Sequence, residues 1–111
     1  MKYSLIIGRF QPLHQGHITL IRKVLNENKN VCIALRNTPI SNTDPYNIKK
    51  RKLMFKKEFN KEIKKGKLII IKIPDIEEVV YGRKVGWGIR EIRLDEKTEN
   101  ISATNIRNNP K

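Results

Sequence analysis

Residues 8–17 read Gly8-Arg9-Phe10-Gln11-Pro12-Leu13-His14-Gln15-Gly16-His17. Ahead of them, residues 2–7 end in an apolar run and predict a β-strand that is closed at Gly8. Behind them, apolar residues recur at helical spacing from His17 to about Glu27 and predict a helix. Pro12 and Gly16 exclude regular structure between the two. The segment is therefore predicted to be a turn that joins a strand to a helix.

Two more apolar runs, at 31–35 and 68–73, predict strands, and the second of them is expected to be buried on both faces. The order strand, helix, strand, helix, strand predicts the α/β class: an open parallel sheet with right-handed crossovers, sandwiched by helices, in a single domain spanning 1–111. In such sheets ligands bind beyond the carboxyl ends of the strands. The turn at 8–17 lies at that edge and is where we expect the chemistry.

The helix predicted over 46–64 carries most of the positive charge. Asp44-Pro45 predicts its start, since Asp is a good N-cap residue and Pro fits the first helical position, and Gly66 predicts its end. Residues 49–67 hold ten basic and two acidic residues, in a chain of net charge +13. We interpret this run as a solvated helix face, with Arg51 at the surface rather than turned inward. No aromatic residues interleave it as a single-strand platform requires, so nucleic acid is not expected as a partner.

The rest of the composition is typical of a small soluble protein. A domain of 111 residues buries a modest fraction of its surface, so we expect a homo-oligomer. The single cysteine, Cys32, lies in an apolar run and fits a reducing compartment. The first residues lack the zones of a signal peptide, and every apolar run is too short to cross a bilayer. These observations predict a cytoplasmic protein without membrane contact.

His14 and His17 lie three residues apart at the predicted start of a helix. Such a start carries unpaired backbone N–H groups and a partial positive charge, so it favours anions. Both imidazoles can donate an N–H group to phosphate oxygens, Arg9 adds a permanent charge, and Gly16 lets a phosphate approach the backbone. A zinc site would need carboxylates to complete it, and ordinary surface histidines are the remaining alternative. A dinucleotide fingerprint and a P-loop are both absent.

A second candidate segment lies at Ile101–Arg107. By itself, Ser102 is typical of an N-cap residue that begins a helix. The hydroxyl groups of Ser102 and Thr104, the backbone N–H groups and the Arg107 side chain can also hold a phosphate together. Taken alone, the segment leaves both interpretations open.

The two segments together resemble the HxGH nucleotidyltransferase superfamily. Its pattern Gly-x-Phe-x-Pro-x-His-x-Gly-His is matched at every fixed position of residues 8–17, and its Ile-Ser-x-Thr-x-x-Arg motif is matched at 101–107. Residues 8–12 most resemble archaeal-type nicotinamide mononucleotide (NMN) adenylyltransferases. The chain is shorter than those enzymes and nearly lacks the helix that follows Arg107, so the resemblance leaves the acceptor open.

The resemblance implies a Rossmann-like fold of the HUP type, with a triphosphate held between two helix N-termini. It also implies Mg²⁺ bound through the oxygens of the substrate phosphates. The residues implied in the reaction or in binding the nucleotide fall in both segments. His14, His17 and Arg107 are the catalytic candidates, and the nucleotide-binding candidates are Gly8, Arg9, Phe10, Gly16, Ser102 and Thr104.

The middle of the chain supplies candidates for binding the acceptor. Arg36 follows the second predicted strand at the carboxyl edge of the sheet, where it either contacts the acceptor phosphate or is a solvated loop residue. In the glycine-rich loop 81–88, Arg83 can approach an anion and Trp87 can stack on a base or a nicotinamide ring. The alternative for that loop is a tight turn with Trp87 packed in the core.

Three functions follow as hypotheses, and the first two have a nucleoside triphosphate and a phosphorylated small molecule as partners. The first is transfer of adenylate from ATP to NMN, which makes NAD and releases pyrophosphate. The second is a CTP-dependent cytidylyltransferase that acts on a phospho-alcohol or phospho-sugar, which the short chain favours. The third is a non-catalytic module that binds a nucleotide or nucleic acid.

Overall fold

The computed structural model of the 111-residue chain describes residues 1–83, 86 and 88–92. Strands and helices alternate, with the second crossover split into two helices. In chain order the elements are β1 (Tyr3–Gly8), α1 (Gln15–Leu25), β2 (Asn30–Asn37), α2 (Ile48–Glu58), α3 (Asn60–Lys64) and β3 (Leu68–Pro74).

The three strands form one parallel sheet in the order β1-β2-β3. In its middle, Ile6 is in register with Ile33, and Ile33 with Ile70. All three carboxyl ends therefore lie at one edge, and the loops after β1 and β2 emerge there. The predicted α/β class with a parallel sheet is confirmed.

Both crossovers lie on the same face of the sheet. Right-handed connections that step in one direction, from β1 to β2 to β3, place their helices on one side. The buried core agrees, because it joins residues of both helical layers to every second residue of the strands. Its members are Phe10, Ile21, Val24, Val31, Ile33, Leu35, Phe55, Phe59 and Leu68.

The opposite face of the sheet is only partly covered within the described residues. Leu5, Cys32 and Ile69 share one row of that face, and Leu5 is 59% exposed while Ile69 is 36% exposed. In the next row Ile71 is 40% exposed. The prediction that residues 68–73 are buried on both faces is wrong for this part of the chain, because no helix of the described residues packs against the outer side of β3.

The predicted start of α2 at Asp44-Pro45 is also wrong. The helix begins at Ile48, and its N-cap is Asn47, whose side-chain oxygen accepts a hydrogen bond from the backbone N–H of Lys50 at 2.8 Å. The Asp44 carboxylate instead pairs with Arg9 at 3.0 Å. Both Asp44 and Asn47 are favourable N-cap residues, and the contact with Arg9 decides between them.

The predicted stop at Gly66 is confirmed. The last helix, α3, ends at Lys64, and Gly66 adopts a left-handed φ of 73°, which turns the chain into β3. Beyond β3, residues 75–83, 86 and 88–92 contain neither strand nor helix. None of the helices in the described parts of the chain has the length and apolar character needed to cross a lipid bilayer.

Candidate functional site

The first turn of α1 is closed by a reciprocal pair of histidines. His14 is the N-cap residue, and its Nδ1 atom accepts hydrogen bonds from the backbone N–H groups of Gly16 at 3.1 Å and His17 at 3.4 Å. In return, the Nδ1 atom of His17 accepts from the backbone N–H of His14 at 3.2 Å. This is the geometry of a capping box, built here from imidazoles instead of a hydroxyl and a carboxylate.

The capping bonds assign the protons of both rings. A ring nitrogen that accepts a hydrogen bond carries no proton, so in the neutral form each imidazole is protonated at Nε2. Burial lowers the pKa of His14, against a smaller opposing effect of its own backbone hydrogen bond. Burial first and the charge of His14 second lower the pKa of His17 to about 4. At neutral pH both rings are therefore uncharged and keep an Nε2–H group for a ligand.

The cap also changes which groups are free to bind an anion. The backbone N–H groups of Gly16 and His17 already donate to His14, and that of Ile18 donates to the His14 carbonyl oxygen at 3.0 Å. The expectation of unpaired backbone donors at this helix start is therefore wrong for these three residues. Binding at the turn depends instead on the imidazole donors, and the role expected for Gly16 stays a prediction.

The two rings are held in place from below by Phe10. His14 and His17 are stacked with ring centroids 3.7 Å apart and planes inclined by 16°. The Phe10 ring makes an edge-to-face contact with His17, with ring centroids 4.7 Å apart, and a second one with Phe55 at 4.9 Å. Phe10 is 3% exposed. It therefore supports the His17 ring from the core.

The backbone around Phe10 is strained. Phe10 has a φ of 53°, a left-handed conformation that costs a side chain with a Cβ about 1–2 kcal/mol. Gly8 accommodates the ring that results, because a Cβ atom at position 8 would lie 3.0 Å from both Cε2 and Cζ of Phe10. Gly8 is thus required by the neighbouring ring, which explains its place in the turn. Strain of this kind is commonly found at functional sites.

Arg51 ties the carboxyl ends of β1 and β2 together. Its Nη1 atom donates to the carbonyl oxygen of Arg9 at 2.7 Å and to that of Arg36 at 2.8 Å. Its Nε atom donates to the carbonyl oxygen of Asn47 at 3.4 Å. The side chain is fully buried, and burial lowers its pKa, partly opposed by the charge of Asp44. The prediction of a surface position for Arg51 is wrong, because the backbone carbonyls at this edge hold the guanidinium inside.

Two further contacts fasten the 8–17 turn to the segment before α2. The Gln11 side chain is 2% exposed and pairs with the backbone of Tyr46, donating to its carbonyl oxygen and accepting from its N–H, both at 2.8 Å. Arg9 donates to Asp44 at 3.0 Å. The charge of Arg9 is therefore already paired with a carboxylate, while its side chain remains 47% exposed.

Of the residues expected to bind the acceptor, Arg36 and Arg83 lie within the described residues. Arg36 donates through Nε and Nη2 to the carboxylate of Asp75, at 3.1 and 2.6 Å, and through Nη2 to the carbonyl oxygen of Ile76. Arg83 is exposed. The other sequence-based candidates, Trp87, Ser102, Thr104 and Arg107, lie outside the described residues. Within the described residues, no group of three or more His, Cys, Asp or Glu side chains is placed to hold a metal ion.

Three residues that the sequence analysis missed hold the turn: Gln11, Asp44 and Arg51. The signal for Arg51 was present in the helical spacing, since Ile48, Arg51, Phe55 and Phe59 fall on one stripe of a helix. For Gln11 and Asp44 no local pattern was available, because their partners lie 35 residues away along the chain.

The chain has clear relatives among known proteins. A family model described as cytidylyltransferase-like matches residues 5–67. The nicotinamide-nucleotide adenylyltransferase of Thermoplasma acidophilum is 35% identical over 63 residues, which cover 55% of this chain and 35% of that protein. The protein of the same name from Picrophilus torridus is 40% identical over 53 residues, covering 46% and 31% respectively.

A longer match extends over most of the chain. The nicotinamide-nucleotide adenylyltransferase of Methanococcus aeolicus is 33% identical over an alignment 131 residues long, gaps included. The alignment covers 94% of this chain and 74% of that protein. The chain spans about a third of the length of the Thermoplasma acidophilum and Picrophilus torridus relatives. No solved structure matches it. The resemblance noted from residues 8–17 and 101–107 is confirmed by these matches.

Proposed function

The chain belongs to the cytidylyltransferase-like family, and we propose on that premise that it is a nucleotidyltransferase. In this proposal a nucleoside triphosphate gives its nucleoside monophosphate to a phosphorylated small molecule, and pyrophosphate leaves. The observation that carries the proposal is the stacked pair of neutral histidines at the carboxyl end of β1, each with its Nε2–H group unused by the helix cap.

The reaction requires the protein mainly to align the two substrates and to stabilise the developing negative charge. An oxygen of the acceptor phosphate, already ionised at neutral pH, forms a bond to the α-phosphorus of the triphosphate. The bond from that phosphorus to the bridging oxygen breaks, and its electron pair leaves with pyrophosphate. Donors fixed in place stabilise the developing negative charge, so no general base or covalent intermediate is needed.

His14 and His17 are assigned to the triphosphate around the α-phosphate. Their Nδ1 atoms are held by the helix backbone, so the two Nε2–H donors cannot rotate away when the ligand is absent. Phe10 and Gly8 hold the His17 ring in position. Arg51 holds the carboxyl ends of β1 and β2 together beside it. Ser102, Thr104 and Arg107 are proposed to hold the β- and γ-phosphates, as the motif at 101–107 implies.

Mg²⁺ is proposed to enter with the triphosphate. It would neutralise phosphate charge and be held by phosphate oxygens and water, as is usual for this ion. The proposed roles of the side chains in binding and charge stabilisation do not depend on the ion.

ATP and NMN are the proposed substrates, and NAD is the proposed product. The names of the relatives support this pair, and the match with the Methanococcus aeolicus protein extends over 94% of the chain. A CTP-dependent transfer to a phospho-alcohol or phospho-sugar is the second candidate, favoured by the description of the family model.

Pyrophosphate release over a matrix of substrates tests the proposal. ATP and CTP are each combined with NMN and with several phospho-alcohols and phospho-sugars, and products are identified by mass spectrometry. We expect release with ATP and NMN together, accompanied by NAD. Release with CTP alone would replace the first candidate by the second. Absence of release with every pair, together with tight oligonucleotide binding, would favour a non-catalytic module.

The histidine assignment is tested in the same assay. His17→Ala should lower turnover by about 10²-fold or more, as the loss of one fixed donor to a developing charge commonly does. Gln15→Ala is the matched control, because Gln15 is exposed in the same helical turn and lies outside the cap. Nearly unchanged turnover in His17→Ala would contradict the assignment.

A further inference from the structure

A second basic site lies beside the start of α2, away from the histidines. A cavity of about 550 Å³ opens between the first turns of α2 and the carboxyl ends of β2 and β3. Three lysines, two asparagines and one apolar residue line it: Lys49, Lys52, Lys72, Asn37, Asn47 and Ile48. Asn37 and Lys72 lie on the helix-covered face of the sheet, and the others belong to α2 and its cap. None of the six belongs to the turn at 8–17.

None of the described residues that line the cavity carries a carboxylate. Within the described residues, the ammonium groups of Lys49, Lys52 and Lys72 make no ion pair. Four acidic residues of the neighbouring segments are paired with arginines outside the cavity. Glu58 and Glu62 pair with Arg22 of α1, Asp44 pairs with Arg9, and Asp75 pairs with Arg36.

Lys49 and Lys72 are exposed and Lys52 is half-buried, so the cavity is open to solvent. The three lysines come from two different elements and line one open depression, where like charges repel. An anion between them would relieve that repulsion and accept hydrogen bonds from the ammonium and carboxamide groups. The helix start itself contributes little, because the Asn47 side chain already accepts from the backbone N–H of Lys50.

We propose that this cavity binds the phosphate group of a small phosphorylated molecule. Three ammonium groups and two carboxamides match the charge and the several acceptor oxygens of a phosphate ester. The volume accommodates a small molecule, and none of the described residues that line the cavity is aromatic, so none of them can stack on a nucleic-acid base. The site is separate from the histidine pair and stands whether or not the proposed transfer reaction is found.

The test compares two double variants of the full chain that lose the same charge. Lys52→Gln with Lys72→Gln removes two cavity lysines, and Lys56→Gln with Lys57→Gln removes two exposed lysines of α2 outside the cavity. Inorganic phosphate and glycerol 3-phosphate are titrated against each protein at constant ionic strength. Binding is followed by the backbone and side-chain amide signals of Asn37, Asn47 and Lys49 in ¹H–¹⁵N NMR spectra. Urea unfolding confirms that both variants are folded.

We expect binding to weaken about tenfold in the cavity variant and less than twofold in the control, because the charge-assisted hydrogen bonds are lost only in the first. Equal weakening in both variants would mean diffuse attraction to α2 and would overturn the proposal. Shifts confined to residues 8–17 would overturn it as well. A ten-residue oligothymidylate is titrated in parallel, and binding that exceeds that of glycerol 3-phosphate and depends equally on Lys56 and Lys57 would replace the small molecule by nucleic acid.

Discussion

The guanidinium group of Arg51 donates a hydrogen bond of 2.7 Å to the carbonyl oxygen of Arg9. The two residues lie 42 positions apart along the chain, and the bond joins the first turn of α2 to the turn that carries both histidines. The same Nη1 atom also reaches the carbonyl oxygen of Arg36. One buried side chain therefore sets the distance between the ends of β1 and β2, and with it the position of the candidate site.

Replacing Arg51 tests this connection. Arg51→Met keeps much of the length of the side chain but leaves the carbonyl oxygen of Arg9 without a donor and that of Arg36 with only the backbone N–H of Thr38, at 3.1 Å. A buried polar group left unpaired costs about 1–3 kcal/mol, so we expect the free energy of unfolding to fall by an amount in this range. Urea unfolding measures the change. Lys56→Met, an exposed change of the same kind in the same helix, should leave stability within about 0.5 kcal/mol.

A lysine at position 51 separates charge from geometry. Arg51→Lys keeps the positive charge but lacks the planar fork that reaches two carbonyl oxygens and Asn47 together. We expect it to lose at least half of the stability lost by Arg51→Met. Full retention of stability in Arg51→Lys would show that charge alone is required there.

Gly8 provides a steric test of the support beneath His17. In Gly8→Ala the new Cβ atom would lie 3.0 Å from the Phe10 ring, which cannot move because His17 and Phe55 contact it. Overpacking of this kind costs about 1–3 kcal/mol. Thermal unfolding should show the loss, and the imidazole signals of His17 should shift in the NMR spectrum. Gly82→Ala, where nothing lies within 4 Å, is the control and should change neither.

The pKa of His17 predicts how stability depends on pH. Burial and the charge of His14 lower that pKa to about 4 in the folded protein, against about 6.5 in the unfolded chain. The unfolded chain therefore takes up the proton first, and the stability present above pH 6.5 is lost as the pH falls towards 4. The free energy of unfolding should drop by about 1 kcal/mol per pH unit in this window through His17.

His17→Gln isolates that contribution, since glutamine does not titrate. Its unfolding midpoints in urea, measured from pH 7.5 to pH 4.5, should fall less steeply than those of the unchanged protein. Parallel curves for the two proteins would show that the His17 pKa is not depressed.

The tautomer of both histidines is a separate prediction. Because each Nδ1 atom accepts a backbone hydrogen bond, both rings should carry their proton on Nε2 at pH 7. Long-range ¹H–¹⁵N correlation spectra distinguish protonated from unprotonated ring nitrogens. Two unprotonated Nδ1 signals at pH 7 are expected, and a protonated Nδ1 on either ring would contradict the reciprocal cap.

Strand and helix patterns predicted most of this fold because its elements follow local rules. The apolar runs before Gly8, at 31–35 and at 68–73 became the three strands, and Gly66 ended the last helix. The predictions were wrong where contacts between residues far apart in the sequence determine the structure. Asp44 resembles an N-cap residue but is held by Arg9, and Arg51 carries a charge typical of the surface but satisfies two strand ends.

The sequence predicted where the candidate site lies in the fold but only part of how its residues are held. The pattern of residues 8–17 placed His14 and His17 at the start of a helix, and that is where they lie. It did not indicate that the rings close the helix themselves, because histidine is not among the favoured N-cap residues. Nor did it indicate the left-handed backbone at Phe10, whose cause is packing against Phe55 and His17.

The imidazole capping box makes folding and ligand recognition share the same atoms. A substitution that removes an Nε2–H donor also removes the Nδ1 acceptor that secures the first turn of α1, so neither property can be tuned without disturbing the other. Loss of one ring would leave the other ring unstacked. It would also leave the backbone N–H group of the partner residue without its acceptor. Sequence drift at either position is thereby opposed twice, and the pair is expected to be replaced together or not at all.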